Sequence, residues 1–239
     1  MTDNRLYFRQ LLAGRDIASD DPLARQMVNL VYLIGDRARS EAVAVDPAYA
    51  PDEVVDILAA DGMRLTGVLA THYHADHVGG DLFGWEIAGI AELLGKLEVP
   101  IHAHRDEIHW IQSTTGVEPT SLVSHEGGDV LNVGEIEIRL LHTPGHTPGS
   151  QCFLVDGRLI AGDTLFLRGC GRTDLPGGDP DAMYDSLVNR LAKLPDDTVV
   201  YPGHLYSPDV SASLAETKYR NPVLAPRSAE EWLTLFGRY

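Results

Sequence analysis

Short apolar runs, separated by polar or glycine-rich breaks, pattern this chain and set the elements it can form. Runs rich in Val, Ile and Leu at 28–34, 41–46, 65–71 and 99–103 are strand-length and bounded by turn residues. Helix-compatible stretches lie between them. Pro51 opens one over 52–60, which Asp61-Gly62 closes in the usual capping position. Others are predicted at 90–97 and 106–112. Farther on, strand pairs at 129–131 with 135–141 and at 151–155 with 158–161 are each joined by a short turn containing glycine. A helix over 182–194 ends before Pro195, a strand over 198–201 runs into Pro202-Gly203-His204, and a last helix spans 229–236. Internal repeats and linker-like segments are absent, so the alternation predicts mixed α/β architecture in a single domain, 1–239.

A set of polar residues breaks this pattern at regular places. His72 follows the strand at 65–71, His146 the strand ending at 141, Asp163 the strand at 159–161 and His204 the strand at 199–201. Loops at strand ends, held by a rigid sheet, are where mixed α/β proteins place their chemistry. Scattered histidines would have no reason to repeat that placement.

Charge narrows the function further. The formal net charge is −16, from 35 acidic against 19 basic residues. No basic arm offsets it, which disfavours a nucleic-acid partner or adhesion to an anionic membrane. Only two cysteines, Cys152 and Cys170, are present, so no disulfide framework is implied. The N-terminal Met1-Thr2-Asp3-Asn4-Arg5 does not open an export signal, and no apolar stretch reaches the ~18 residues of a membrane span. A cytoplasmic protein is the expectation.

The segment His72-Tyr73-His74-Ala75-Asp76-His77 packs three imidazoles and a carboxylate into six residues. Neutral imidazole and carboxylate suit zinc, iron and manganese, and four such ligands so close can surround more than one metal. An extended backbone puts residues 72 and 74 on one side, and a tighter turn through Asp76 and His77 would aim that pair at a neighbouring position. His146 sits in Thr143-Pro144-Gly145-His146-Thr147-Pro148-Gly149, whose prolines and glycines predict a tight, irregular turn presenting one imidazole. Asp163 follows an apolar strand, where a cation is the natural compensation for its charge.

This motif, with the three single ligands, resembles the metallo-β-lactamase superfamily over roughly 28–224. The resemblance implies a four-layer αββα sandwich. It assigns His72, His74 and His146 to a first metal, Asp76, His77 and His204 to a second, and makes Asp163 the bridge; Asp76 and His77 are also the catalytic candidates. Two divalent metals are implied, zinc first, with iron or manganese as alternatives. A hydroxide shared between cations ~3.5–4 Å apart would be the nucleophile.

Within the superfamily, Gly162-Asp163-Thr164-Leu165-Phe166 and Gly169-Cys170-Gly171-Arg172 resemble glyoxalase II, which hydrolyses thioesters of glutathione. The continuation Arg172-Thr173-Asp174 is more similar to persulfide dioxygenases, which hold one iron by residues corresponding to His72, His146 and Asp163. Residues 205–239 are too few for the helical C-terminal domain of typical glyoxalase II enzymes, and Asn221-Pro222-Val223-Leu224 matches the short tails of dioxygenases and compact hydrolases alike. The leading expectation is a thioester hydrolase acting on a small-molecule thiol conjugate; the alternative is the mononuclear iron dioxygenase. Arg172 and Tyr206 are the substrate-binding candidates, the first through bidentate capture of a carboxylate. Cys170 is read as packing near the site. His102, His104 and His109, which no carboxylate or glycine turn frames, are read as surface residues, as are His125 and His142. An extension precedes residue 28, and the long connection between His77 and His146 is either a lid or a packing insert.

Overall fold

Seven consecutive buried residues, Leu30–Asp36, form a strand covered on both faces, and the sheet of the first half of the chain grows outward from it. The structure, a computed structural model, describes residues 5–226 and 228–236; residues 1–4, part of the stretch read above for an export signal, lie outside them. The chain divides into two compact units, one running up to His125 with Val130–Ile138, the other taking Glu126–Asp129 and the chain from Arg139 onward.

In the first unit the strands are β1 (Leu6–Leu12), β2 (Leu30–Asp36), β3 (Glu41–Val45), β4 (Arg64–Leu69), β5 (Gly80–Leu82), β6 (Trp85–Ile87), β7 (Ile101–His104) and β8 (Leu122–His125). The main sheet has the order β1-β2-β3-β4-β7-β8. Its first three strands are antiparallel, and β3, β4, β7 and β8 run parallel. Parallel neighbours need crossovers, and helix α2 (Pro51–Ala60) makes the first of them, with Asp52 and Glu53 in the first turn where the helix dipole favours them. The extension before residue 28, for which no strand was predicted, forms β1 and pairs in register with β2 from Leu6↔Asp36 to Leu12↔Leu30. Helix α1 (Pro22–Met27) follows it, capped by the Asp21 side chain.

The connection after His77 is chiefly packing. It supplies β7 and β8 to the sheet, and Ile90, Leu93, Ile101 and Ile111 to the core. The small β5–β6 hairpin leaves Phe83 and Trp85 exposed. The surface reading of His102 and His104 is corrected here. Strand β7 lies between β4 and β8 and is buried throughout. His102 Nδ1 lies 2.9 Å from His125 Nε2, and desolvation, reinforced by the His125 charge, pushes the His102 pKa down to about 4. It is a neutral packed imidazole, whereas His109 is exposed as expected.

The second unit contains the end of β10 (Ile136–His142), which follows β9 (Val130–Val133), then β11 (Gln151–Val155), β12 (Arg158–Gly162), β13 (Val199–Pro202) and β14 (Ala212–Ser213). These run in the order β14-β13-β12-β11-β10. Helical turns from Pro180 to Lys193 and helix Ala229–Phe236 pack Met183, Leu187, Leu191 and Trp232 into its core. Trp232 is fully buried and donates its indole N–H to the Val223 carbonyl at 3.0 Å. No helix of the described residues is long and apolar enough to cross a membrane.

The strand directions explain the regular ligand spacing. β12 and β13 are parallel, and β10 and β12 are each antiparallel to β11. The carboxyl ends of β10, β12 and β13 therefore share one sheet edge, and His146, Asp163 and His204 follow them.

Candidate metal centre

Strand β4 delivers the chain to Thr71 and His72 in the first unit. His74 keeps an extended backbone (φ −61°, ψ 142°), and the single helical turn Ala75–Val78 begins immediately after it, ending at Gly79. The switch from period two to period 3.6 places four donors on one patch: His72, Asp76 and His77 are buried and His74 is half-buried. His72 Nε2 lies 3.0 Å from His74 Nδ1, and the His72 and His77 rings are 4.2 Å apart.

Buried partners assign the protons. Asp46, itself buried, accepts from the Thr71 amide at 2.8 Å, the Thr71 hydroxyl at 2.6 Å and His77 Nδ1 at 2.9 Å. Since Thr71 spends its proton on Asp46, it accepts from His72 Nδ1 at 2.9 Å. Both imidazoles therefore carry Nδ1–H and turn a bare Nε2 away from these partners. The ligand atoms of Asp46, His72 and His77 lie within 4.8 Å of one another, but Asp46 meets His77 on its Nδ1 side, opposite the bare Nε2, so its place is that of a support for the ligand loop. Replacing Asp46 by alanine is expected to weaken metal binding about 10–100-fold, the usual cost of losing such an outer partner; competition against a coloured chelator measures it.

In the second unit, the turn around His146 is closed by Thr143 N–H to the Ser150 carbonyl at 2.8 Å and by the Thr147–Ser150 hydroxyl pair at 2.7 Å. His146 donates Nδ1–H to the Arg172 carbonyl at 2.7 Å, leaving Nε2 bare, 3.8 Å from Asp163 Oδ2. His204 Nε2 is 3.3 Å from the same oxygen. Glycine is required here for close approach. A Cβ on Gly203 would stand 2.3 Å from Asp163 Oδ1, and one on Gly171 would stand 2.1 Å from the Asp163 carbonyl.

The structure thus brings His72, His74, Asp76 and His77 together in one unit, and His146, Asp163 and His204 in the other. Tyr206 stacks flat on His204, ring centres 4.7 Å apart at 7°, and Phe166 meets both edge-on. The Arg172 guanidinium is engaged by Asp174 at 2.6 and 2.7 Å on the surface, while its carbonyl orients His146. Burial pushes the Cys170 thiol up to about 12 and the Cys152 thiol up to about 11, so neither is a nucleophile at neutral pH.

Sequence reasoning missed Asp46, Thr71 and Asn29. Asp46 carried a signal, since it ends a strand as the ligands do. Asn29 is the one amide inside an otherwise apolar strand-length run.

The donor set fits a divalent cation. The Nε2 atoms that His72, His77 and His146 leave bare, the neighbouring His74 ring, and the carboxylates of buried Asp76 and half-buried Asp163 are the ligand types that zinc and iron accept. The family model described as the metallo-beta-lactamase superfamily matches residues 25–204, and the chain belongs to that superfamily. Its α/β class is the one expected. Human mitochondrial persulfide dioxygenase ETHE1 is 31% identical over 239 residues, 96% of this chain and 86% of that protein. A hydroxyacylglutathione hydrolase of Alkalilimnicola ehrlichii is 40% identical over 179 residues, 75% of this chain, which spans only 62% of that hydrolase. The crystal structure of ETHE1 from Myxococcus xanthus superposes with a TM-score of 0.78 at 33% identity, covering 96% of this chain and 89% of that one.

Proposed function

We propose that this chain is a dinuclear metal-dependent hydrolase of glyoxalase II type, acting on the thioester of a small thiol conjugate such as acylated glutathione. The reading takes residues 1–239 as one domain, and a single family match running across both compact units supports that. His72, His74 and His146 would hold one cation, Asp76, His77 and His204 the other, and Asp163 both. Two divalent cations held there, zinc first, would supply activation of a water for attack on the thioester and compensation for the negative charge that develops.

The remaining work falls to the protein. Asp46, Thr71 and the Arg172 carbonyl keep His72, His77 and His146 in the tautomer that offers Nε2. Tyr206 holds the His204 ring by stacking and has an exposed edge for substrate. Arg172 would exchange Asp174 for a substrate carboxylate, a trade between two exposed ion pairs that costs little.

The observation that carries this reading is the care taken over Asp76 and His77. Both are buried and hydrogen-bonded by buried groups, although a mononuclear enzyme using His72, His146 and Asp163 has no need of them as ligands. Metal analysis of protein purified from replete medium is expected to find two equivalents per chain, with turnover of S-lactoylglutathione. One equivalent without thioesterase activity would discard the reading.

A second reading, a mononuclear iron persulfide dioxygenase, is favoured by the near full-length match to human persulfide dioxygenase ETHE1. The same preparation loaded with iron and given glutathione persulfide would then consume oxygen.

A further inference from the structure

We propose that Asn29 is the positioning residue for the second metal, holding Asp76 and His77 as one preformed unit through its side-chain amide. The inference rests on the dinuclear reading and adds to it a residue that binds no metal itself.

Asn29 lies just before β2 and is 3% exposed. Its Nδ2 is 3.0 Å from the Asp76 carbonyl, 3.0 Å from Asp76 Oδ2 and 3.3 Å from His77 Nε2. A carboxamide has two N–H donors, so three acceptors around one nitrogen keep both occupied. The opposite end of the amide is fixed as well, because the Tyr49 hydroxyl donates to Asn29 Oδ1 at 3.2 Å. That contact sets which end of the amide faces Asp76, and the Asn29 carbonyl is held by the Ala13 amide at 2.9 Å.

The backbone near this arrangement is uncommon. Val28, Asp46 and Tyr49 all have left-handed φ, at 50°, 50° and 71°. Such a conformation is uncommon for a β-branched valine. Val28 ends helix α1 as its left-handed cap, directly before Asn29; Asp46 holds His77 from its Nδ1 side and Tyr49 holds the amide. Two of these residues, Asp46 and Tyr49, thus contact a candidate ligand or the amide that holds it.

Chemically, the amide does part of a cation's work before a cation arrives. It presents positive hydrogens to one Asp76 oxygen and to the lone pair of His77 Nε2, so neither ligand has to be reoriented or stripped of water when metal enters. Asp76 retains its hydrogen bonds to Asn29 on binding, and only the longer His77 contact is given up. His72 and His74 make no such contact, so the first metal should be indifferent to Asn29.

The test is a zinc titration of chelator-stripped protein against a coloured competitor, which yields two stepwise dissociation constants. In N29A the second constant is expected to rise about 10–100-fold, as for loss of other outer partners, while the first stays within about threefold. A parallel rise in both would mean that Asn29 only stabilises the fold, and no change in either would remove it from the site; each result overturns the proposal. Should N29A fail to fold, N29S carries the test: its one hydroxyl cannot serve both ligands, and a selective rise in the second constant is again expected. Wild-type protein that takes up a single zinc would instead sink the dinuclear reading, and that outcome is read without any variant.

Discussion

His146→Ala is expected to abolish turnover, lowering it about 10³-fold or more, whichever of the two chemistries the enzyme performs. Losing one donor that stabilises developing charge costs about 10²–10³ in rate. His146 is assigned to hold the cation that does the stabilising, so about 10³, some 4 kcal/mol of barrier, is a floor. The turn around the ring is closed by Thr143, Thr147 and Ser150 and does not depend on the imidazole for its own hydrogen bonds. Circular dichroism of the variant should therefore match the wild type. Steady-state kinetics with a thioester and oxygen uptake with a persulfide provide the readout, and a variant keeping a tenth of either activity would show that His146 is not a ligand.

Asp76→Ala separates the chemistries. In a dinuclear hydrolase the metal content should fall from two equivalents to one, and thioester hydrolysis should drop by about 10³-fold, since the paired charge that activates water is gone. In a mononuclear dioxygenase the iron held by His72, His146 and Asp163 does not involve Asp76, and oxygen uptake should stay within about tenfold of wild type. The contrast between His146→Ala and Asp76→Ala therefore reads out function from two substitutions, independent of which metal the protein carries when isolated.

Much of the site was legible because its logic is local. Six consecutive residues carry four candidate donors, and each single candidate follows a strand, so periodicity placed His72, His146, Asp163 and His204 after strand ends. Gln151–Val155 and Ala229–Phe236 form as expected for the same reason. The extension at Leu6–Leu12 was not predicted as a strand. Its pattern is weak, and its stability comes from pairing with β2 along its whole length. His102 and His104 were misread because a strand's position within a sheet, central or peripheral, has no local signature; β7 is enclosed by β4 and β8.

The sequence by itself determined the α/β class and the superfamily and singled out the candidate donors, since these depend on residue types at short spacing. The tertiary structure decided how the donors are held. Asp46 is 31 residues from His77 and Asn29 is 47 from Asp76, and no periodicity links residues so far apart. Their partnership exists only because β2 and β3 pair, and β3 lies beside β4, so that three strand ends carry Asn29, Asp46 and Thr71 into the ligand loop. At His72–His77 the candidate donors are written in the sequence, whereas their protons and rotamers depend on neighbours that only the sheet brings close.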